Sequence, residues 1–183
     1  MSEHPQIELY ITIGDDKQNA ELEQLLSSTN VDGVVARTLS EVHVTNPVML
    51  TVLVTDDEGI RDMNKQYREI DNSTDVLSFP LLTEPLVEAP ADQLWTPQES
   101  EEAQPYFVTP PDMIMNLGDV VLSWPTIVRQ AEQVRHAPMY ELLYLLSHGV
   151  LHLVGYDDHT EAGYQAMVGI QQRVLQAVGM KTM

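Results

Sequence analysis

The sequence predicts one α+β domain with its candidate functional residues on a buried late helix. Three observations carry this. Short β-branched runs lie in the first two thirds of the chain, and helical patterns fill the last third. The 183 residues, 43% apolar, suffice for one core, and no internal repeat or second core is visible.

The elements follow in order. Residues 7–13 (I-E-L-Y-I-T-I) alternate apolar and polar positions, the period of a half-buried strand. A helix is expected over 17–28, ending before the turn-prone Asn30-Val31-Asp32-Gly33. Residues 48–54 (V-M-L-T-V-L-V) are apolar and β-branched, as in a central strand. Thr55-Asp56-Asp57 then caps a helix running to about 67. Residues 76–79 and 118–123 are short strand candidates. Pro125 fits the first turn of a helix reaching about 135, and Pro138 opens another. That second helix carries Met139, Leu142, Leu143, Leu145, Leu146, Val150, Leu151 and Leu153. Apolar residues on most of its sides predict a helix inside the domain, ended by Gly155. A last helix over 161–178 aligns Met167, Ile170, Val174 and Val178.

Between these elements, residues 81–111 hold six prolines and six acidic residues, and no Lys or Arg occurs until Arg129. Such a composition predicts a long surface loop, a lid or an inert insertion. No stretch has the roughly 20 apolar residues of a membrane span. Met1-Ser2-Glu3-His4-Pro5 has no basic or apolar signal region, so a cytoplasmic location is expected. Nine Lys and Arg against 28 Asp and Glu give a net charge of -19, which argues against broad non-specific nucleic-acid binding. A local patch survives in Arg61, Lys65 and Arg68, spaced four and three apart on one side of a helix. By spacing alone this is a solvated face.

With no cysteine, a metal site must rest on His, Asp or Glu. Residues 148–159 read H-G-V-L-H-L-V-G-Y-D-D-H. His148 and His152 are four apart, so a helix projects both imidazoles from one face. Two histidines in an otherwise apolar helix need partners, and a shared divalent ion is one. Gly155 lets the chain fold back to offer Asp157, Asp158 or His159 as a third ligand. Three protein ligands leave a position for water, the mark of a catalytic zinc. In H-E-x-x-H-x-x-G-x-x-H metalloproteases the third ligand lies ten residues after the first His, which is Asp158 here, with His159 one later. The general-base Glu of those enzymes is replaced by Gly149, which argues against a protease.

The 148–159 segment resembles the signature of the YbeY family of bacterial metal-dependent endoribonucleases, H-G-x-L-H-L-x-G-Y-D-H. M-N-K-Q-Y-R at 63–68, T-D-V-L-S-F-P at 74–80, L-G-D-V-V-L-S at 117–123, R-Q-A-E at 129–132 and then His136 agree in order. The resemblance covers about residues 51–178. It implies a small mixed sheet flanked by helices and one zinc per chain, with another divalent metal as the alternative. It also implies hydrolysis of RNA phosphodiesters in 16S rRNA 3′-end maturation and ribosome quality control. The partners would be rRNA, the 30S subunit and ribosomal proteins, with no membrane. His148 and His152 match the first two ligands, and Arg68 matches the family's functional arginine. The family's third ligand is His, whereas the gap-free counterpart is Asp158, with His159 displaced by one. Ser147 stands where the family has an apolar residue. Asp75 and Asp119 are expected to cap backbone donors or to orient a ligand histidine. A non-catalytic ribosome-assembly factor with an architectural metal, and a small-molecule metallohydrolase, are the competing readings.

Overall fold

The computed structural model describes residues 5–27, 31–97 and 114–179. Four strands, β1 (Gln6–Thr12), β2 (Val48–Thr55), β3 (Val76–Pro80) and β4 (Met115–Ser123), form one sheet in the order β1-β2-β4-β3. β1 and β4 lie parallel to β2 on either side of it, while β3 runs antiparallel to β4 at the edge. The sheet is therefore mixed. Six α-helices flank it among the described residues: α1 (Asp16–Ser27), α2 (Val31–Glu41), α3 (Asp57–Arg68), α4 (Trp124–Val134), α5 (Pro138–Val154) and α6 (Glu161–Ala177).

The side-chain period of two divides β2 between two cores. Val48, Leu50, Val52 and Val54 are each at most 1% exposed and join the main core. Leu53 faces the other way, onto a small cluster of Ile60, Leu77 and Val121 beneath α3. Asp56 caps α3, its carboxylate accepting from Gly59 N at 2.8 Å.

The main core centres on α5. Its Leu142, Leu143, Leu146, Val150, Leu151, Leu153 and Val154 are nearly inaccessible, and each such side chain contributes roughly 1.5–3 kcal/mol. The helix packs against β3, β4, α2, α4 and α6. Ser147, the polar departure, is fully buried and hydrogen-bonded to Thr38 at 2.8 Å across to α2. The pair satisfies both hydroxyls inside an apolar layer.

Gly149 sets how closely α5 approaches the sheet. A Cβ there would lie 2.6 Å from Val120 Cγ1 and 3.2 Å from Ser78 Oγ. Ser78 Oγ also donates to the Gly149 carbonyl at 3.2 Å. Val120 is buried and stiff at χ1, so it cannot swing aside. This explains sterically why no carboxylate follows the first histidine. Gly149→Ala is expected to lower stability by about 1–3 kcal/mol, despite better helix propensity, because the core is overpacked. Denaturant unfolding checks this; a wild-type midpoint would contradict the close approach.

One expectation is corrected. Val31-Asp32-Gly33, read as a turn, forms the first turn of α2. Propensity is poor there, but Val34, Val35 and Leu39 are buried against α5 and α6, and packing decides. The expected surface loop at 81–111 is described only in its first half, where it lies at the surface with a few side chains anchored in the core. Residues 81–97 form a strap over the C-terminal end of α5, and the remainder lies outside the described residues. Val87 is buried in the main core, with Leu82, Leu86, Ala89 and Leu94 packed on it. The strap meets the carbonyls that the helix end leaves without intrahelical partners. Leu86 N donates to Val154 O at 2.8 Å and Trp95 N to Gly155 O at 2.9 Å, while Leu94 bridges Tyr156. Proline and acidic content hid this because the segment borrows its core from α5.

Candidate metal centre

His148 and His152 project from the last two turns of α5 with their Nε2 atoms 3.0 Å apart. Gly155 ends the helix at φ +133°, a conformation open to glycine, and a Cβ there would meet Pro85 of the strap at 2.5 Å. The chain turns back at once. Asp158 thereby places one carboxylate oxygen 3.6 Å from His148 Nε2 and the other 3.7 Å from His152 Nε2. Two atoms bound to one zinc at about 2.0–2.2 Å each lie no more than about 4.4 Å apart, and all three separations meet that limit. Among the described residues this is the group of His and carboxylate side chains that could hold a metal ion.

The hydrogen bonds behind the rings support that reading. His152 Nδ1 lies 2.9 Å from the Tyr156 carbonyl, which only accepts, so Nδ1 carries the proton. Gln171, buried on α6, donates its amide to Tyr144 O at 3.1 Å and turns its Oε1 toward His148 Nδ1 at 3.4 Å. With each Nδ1 turned to an acceptor, the Nε2 atoms are the ring nitrogens left to face one another across the site. Burial holds the His152 pKa below the ordinary histidine value, and His148 pushes it the same way, against the Asp158 and Asp157 carboxylates. Two imidazole Nε2 atoms and a carboxylate around one point are a donor set for a cation.

These residues line a polar cleft of about 390 Å³ with Arg68, Asp75, Ser78, Trp95 and Asp157. Arg68, the last residue of α3, makes no ion pair among the described residues. The rest of the basic triplet differs. Arg61 is tied to Asp71 at 2.8 Å and Lys65 is exposed, so the solvated-face reading describes them, whereas Arg68 reaches the cleft. His159 does not reach it: the ring is half exposed and its Nδ1 bonds Asp157 at 2.7 Å.

A family model described as Endoribonuclease YbeY matches residues 6–179. The chain belongs to the YbeY endoribonuclease family. An Endoribonuclease YbeY from Roseiflexus castenholzii is 35% identical over 157 residues, 85% of this chain and 86% of that protein. One from Moorella thermoacetica is 34% identical over 159 residues, 87% of this chain and 90% of its own length. A solution structure of a Thermotoga maritima protein matches with TM-score 0.54 at 21% identity, over 94% of this chain and 89% of that one, which shows the shared fold.

Within this YbeY-family site, some partners were invisible in the sequence. Asp75 caps Val76 N at 2.7 Å, and Asp119 lines a groove with Leu53, Tyr67 and Phe79 instead of the metal cleft. Neither is hydrogen-bonded to His148 or His152; the partners of those rings are Gln171 and the Tyr156 carbonyl. Gln171 had a signal, a glutamine beside the Met167, Ile170 and Val174 stripe; a carbonyl has none. His136 bonds Glu141 at 2.7 Å, at the start of α5 and not on the cleft wall. No helix among the described residues is long and apolar enough to cross a membrane.

Proposed function

We propose that the chain is a divalent-metal-dependent endoribonuclease hydrolysing single-stranded RNA phosphodiesters. His148, His152 and Asp158 are its metal ligands, and zinc is the preferred ion. Family membership supports the reaction class. The observation that carries it is Arg68, a permanent cation without a carboxylate partner among the described residues, on the wall of the cleft that holds the ligand triad. A divalent ion held there supplies Lewis acidity, polarising a phosphoryl oxygen and acidifying the attacking water.

The chain's own residues do the rest. The Tyr156 carbonyl and Gln171 fix both imidazoles with Nε2 turned inward. Arg68 holds the scissile phosphate through two parallel hydrogen bonds from its planar fork. Asp157, on the cleft wall and hydrogen-bonded by His159, accepts the proton of the attacking water. The resemblance extends the role to 16S rRNA 3′-end maturation and ribosome quality control on the 30S subunit, in the cytoplasm.

The net charge of -19 favours one competing reading, an assembly factor drawn to basic ribosomal proteins with an architectural metal. Metal-replete protein incubated with end-labelled single-stranded RNA separates the two. Cleavage that disappears in His148→Ala is the expected result. RNA binding without cleavage would sustain the assembly factor instead, and turnover of simple phosphate esters but not RNA would point to a small-molecule hydrolase.

A further inference from the structure

The strap brings an aromatic ring into a cleft that is otherwise mainly polar. Trp95 lines it together with Arg68, His148, His152 and Asp158. Its ring is partly exposed, and its indole N–H donates to the His152 carbonyl at 2.7 Å. The backbone around it is held as well: Trp95 N donates to Gly155 O at 2.9 Å, and Asp157 N donates to Gln93 O at 3.0 Å. Thr160 Oγ1 donates to the Asp92 carbonyl, and Leu94 bridges Tyr156. The ring is therefore fixed at the site before any substrate arrives, and its polar atom is already satisfied.

We infer that Trp95 is a substrate-binding residue, a platform on which a base of single-stranded RNA next to the cleaved bond stacks. This rests on the endoribonuclease reading and assigns a role to the strap that the reading does not require. A satisfied indole N–H leaves the ring's π-face as the group the side chain can still offer a ligand. Stacking tolerates every base, because each has a π-face, and it suits single strands, whose bases are not already paired. The chain's acidity gives a further reason. With net charge -19, phosphate contacts alone hold RNA poorly, and stacking supplies affinity that does not depend on positive charge. A cleft of about 390 Å³ lies within the roughly 300–1,000 Å³ of small-ligand sites.

The test uses full-length zinc-loaded protein and a phosphorothioate-linked oligouridine hexamer, labelled for anisotropy, beside the same backbone without bases. Trp95→Ala is expected to weaken hexamer binding by about 5- to 100-fold, and removing the bases to weaken wild-type binding similarly. Trp95→Phe, which keeps a ring and loses the N–H, should stay within about threefold of wild type. Zinc content should be unchanged in both variants. In a Trp124→Phe background Trp95 is the sole tryptophan, and the hexamer should quench its fluorescence saturably. Unaltered hexamer affinity in Trp95→Ala overturns the inference, as does a loss in Trp95→Phe equal to that in Trp95→Ala, which would trace the effect to the N–H bond. If wild type cleaves RNA without dependence on Trp95, only this inference fails. If wild type neither binds nor cleaves single-stranded RNA, the endoribonuclease reading fails with it.

Discussion

Arg68→Ala is expected to cut single-stranded RNA cleavage by about 10²–10³-fold, the scale of losing one preorganised charge-stabilising donor. Metal content should stay at the wild-type level, because Arg68 belongs to α3 while the proposed ligand set belongs to α5 and the turn after it. Stability should also hold. The side chain is exposed and has no ion-pair partner among the described residues, and such surface changes usually stay within about 0.5 kcal/mol. Arg68→Lys restores the charge but not the two-pronged fork, so it should recover part of the rate. Steady-state cleavage rates set beside elemental metal analysis decide the matter. A variant that loses its metal, or one that cleaves at the wild-type rate, would remove Arg68 from the phosphate site.

The second large effect separates two neighbouring residues. Asp158→Ala should lower metal affinity by more than about 100-fold, since changes to groups merely supporting a ligand already cost about 10–100-fold. His159→Ala should change it by less than about tenfold, because His159 touches Asp157 and not the ligand set. Asp158→His should retain metal and shift preference further toward zinc, as imidazole replaces a harder oxygen donor. Competition against a chromophoric chelator reads all three. If His159→Ala strips the metal and Asp158→Ala does not, the third ligand has been assigned to the wrong residue.

Much of this was legible in the residues. The apolar, β-branched run of β2 and the all-round apolar surface of α5 announced their places, because such segments are stable only where both sides are covered. The four-residue spacing of His148 and His152 announced a shared face. Register alone left Asp158 and His159 open. The structure brings Asp158 to the histidines and pairs His159 with Asp157, through a turn whose details depend on Gly155 and on the strap lying across it. What the sequence concealed was structure made by partners distant in the chain. α2 forms despite Gly33 and β-branched residues because α5 and α6 cover it. The strap folds onto α5 without an apolar period of its own, carrying Trp95 57 residues upstream of the histidine whose carbonyl it bonds. Composition describes what a segment can do alone, and this one does not act alone.

A crystal structure of the full chain grown with excess zinc, with anomalous scattering recorded at the zinc edge, tests the ligand assignment most directly. The expected result is one strong peak per chain, about 2.0–2.2 Å from His148 Nε2, His152 Nε2 and a carboxylate oxygen of Asp158. No peak between the two imidazoles, or a peak bound through His159 with Asp158 turned to solvent, would contradict it.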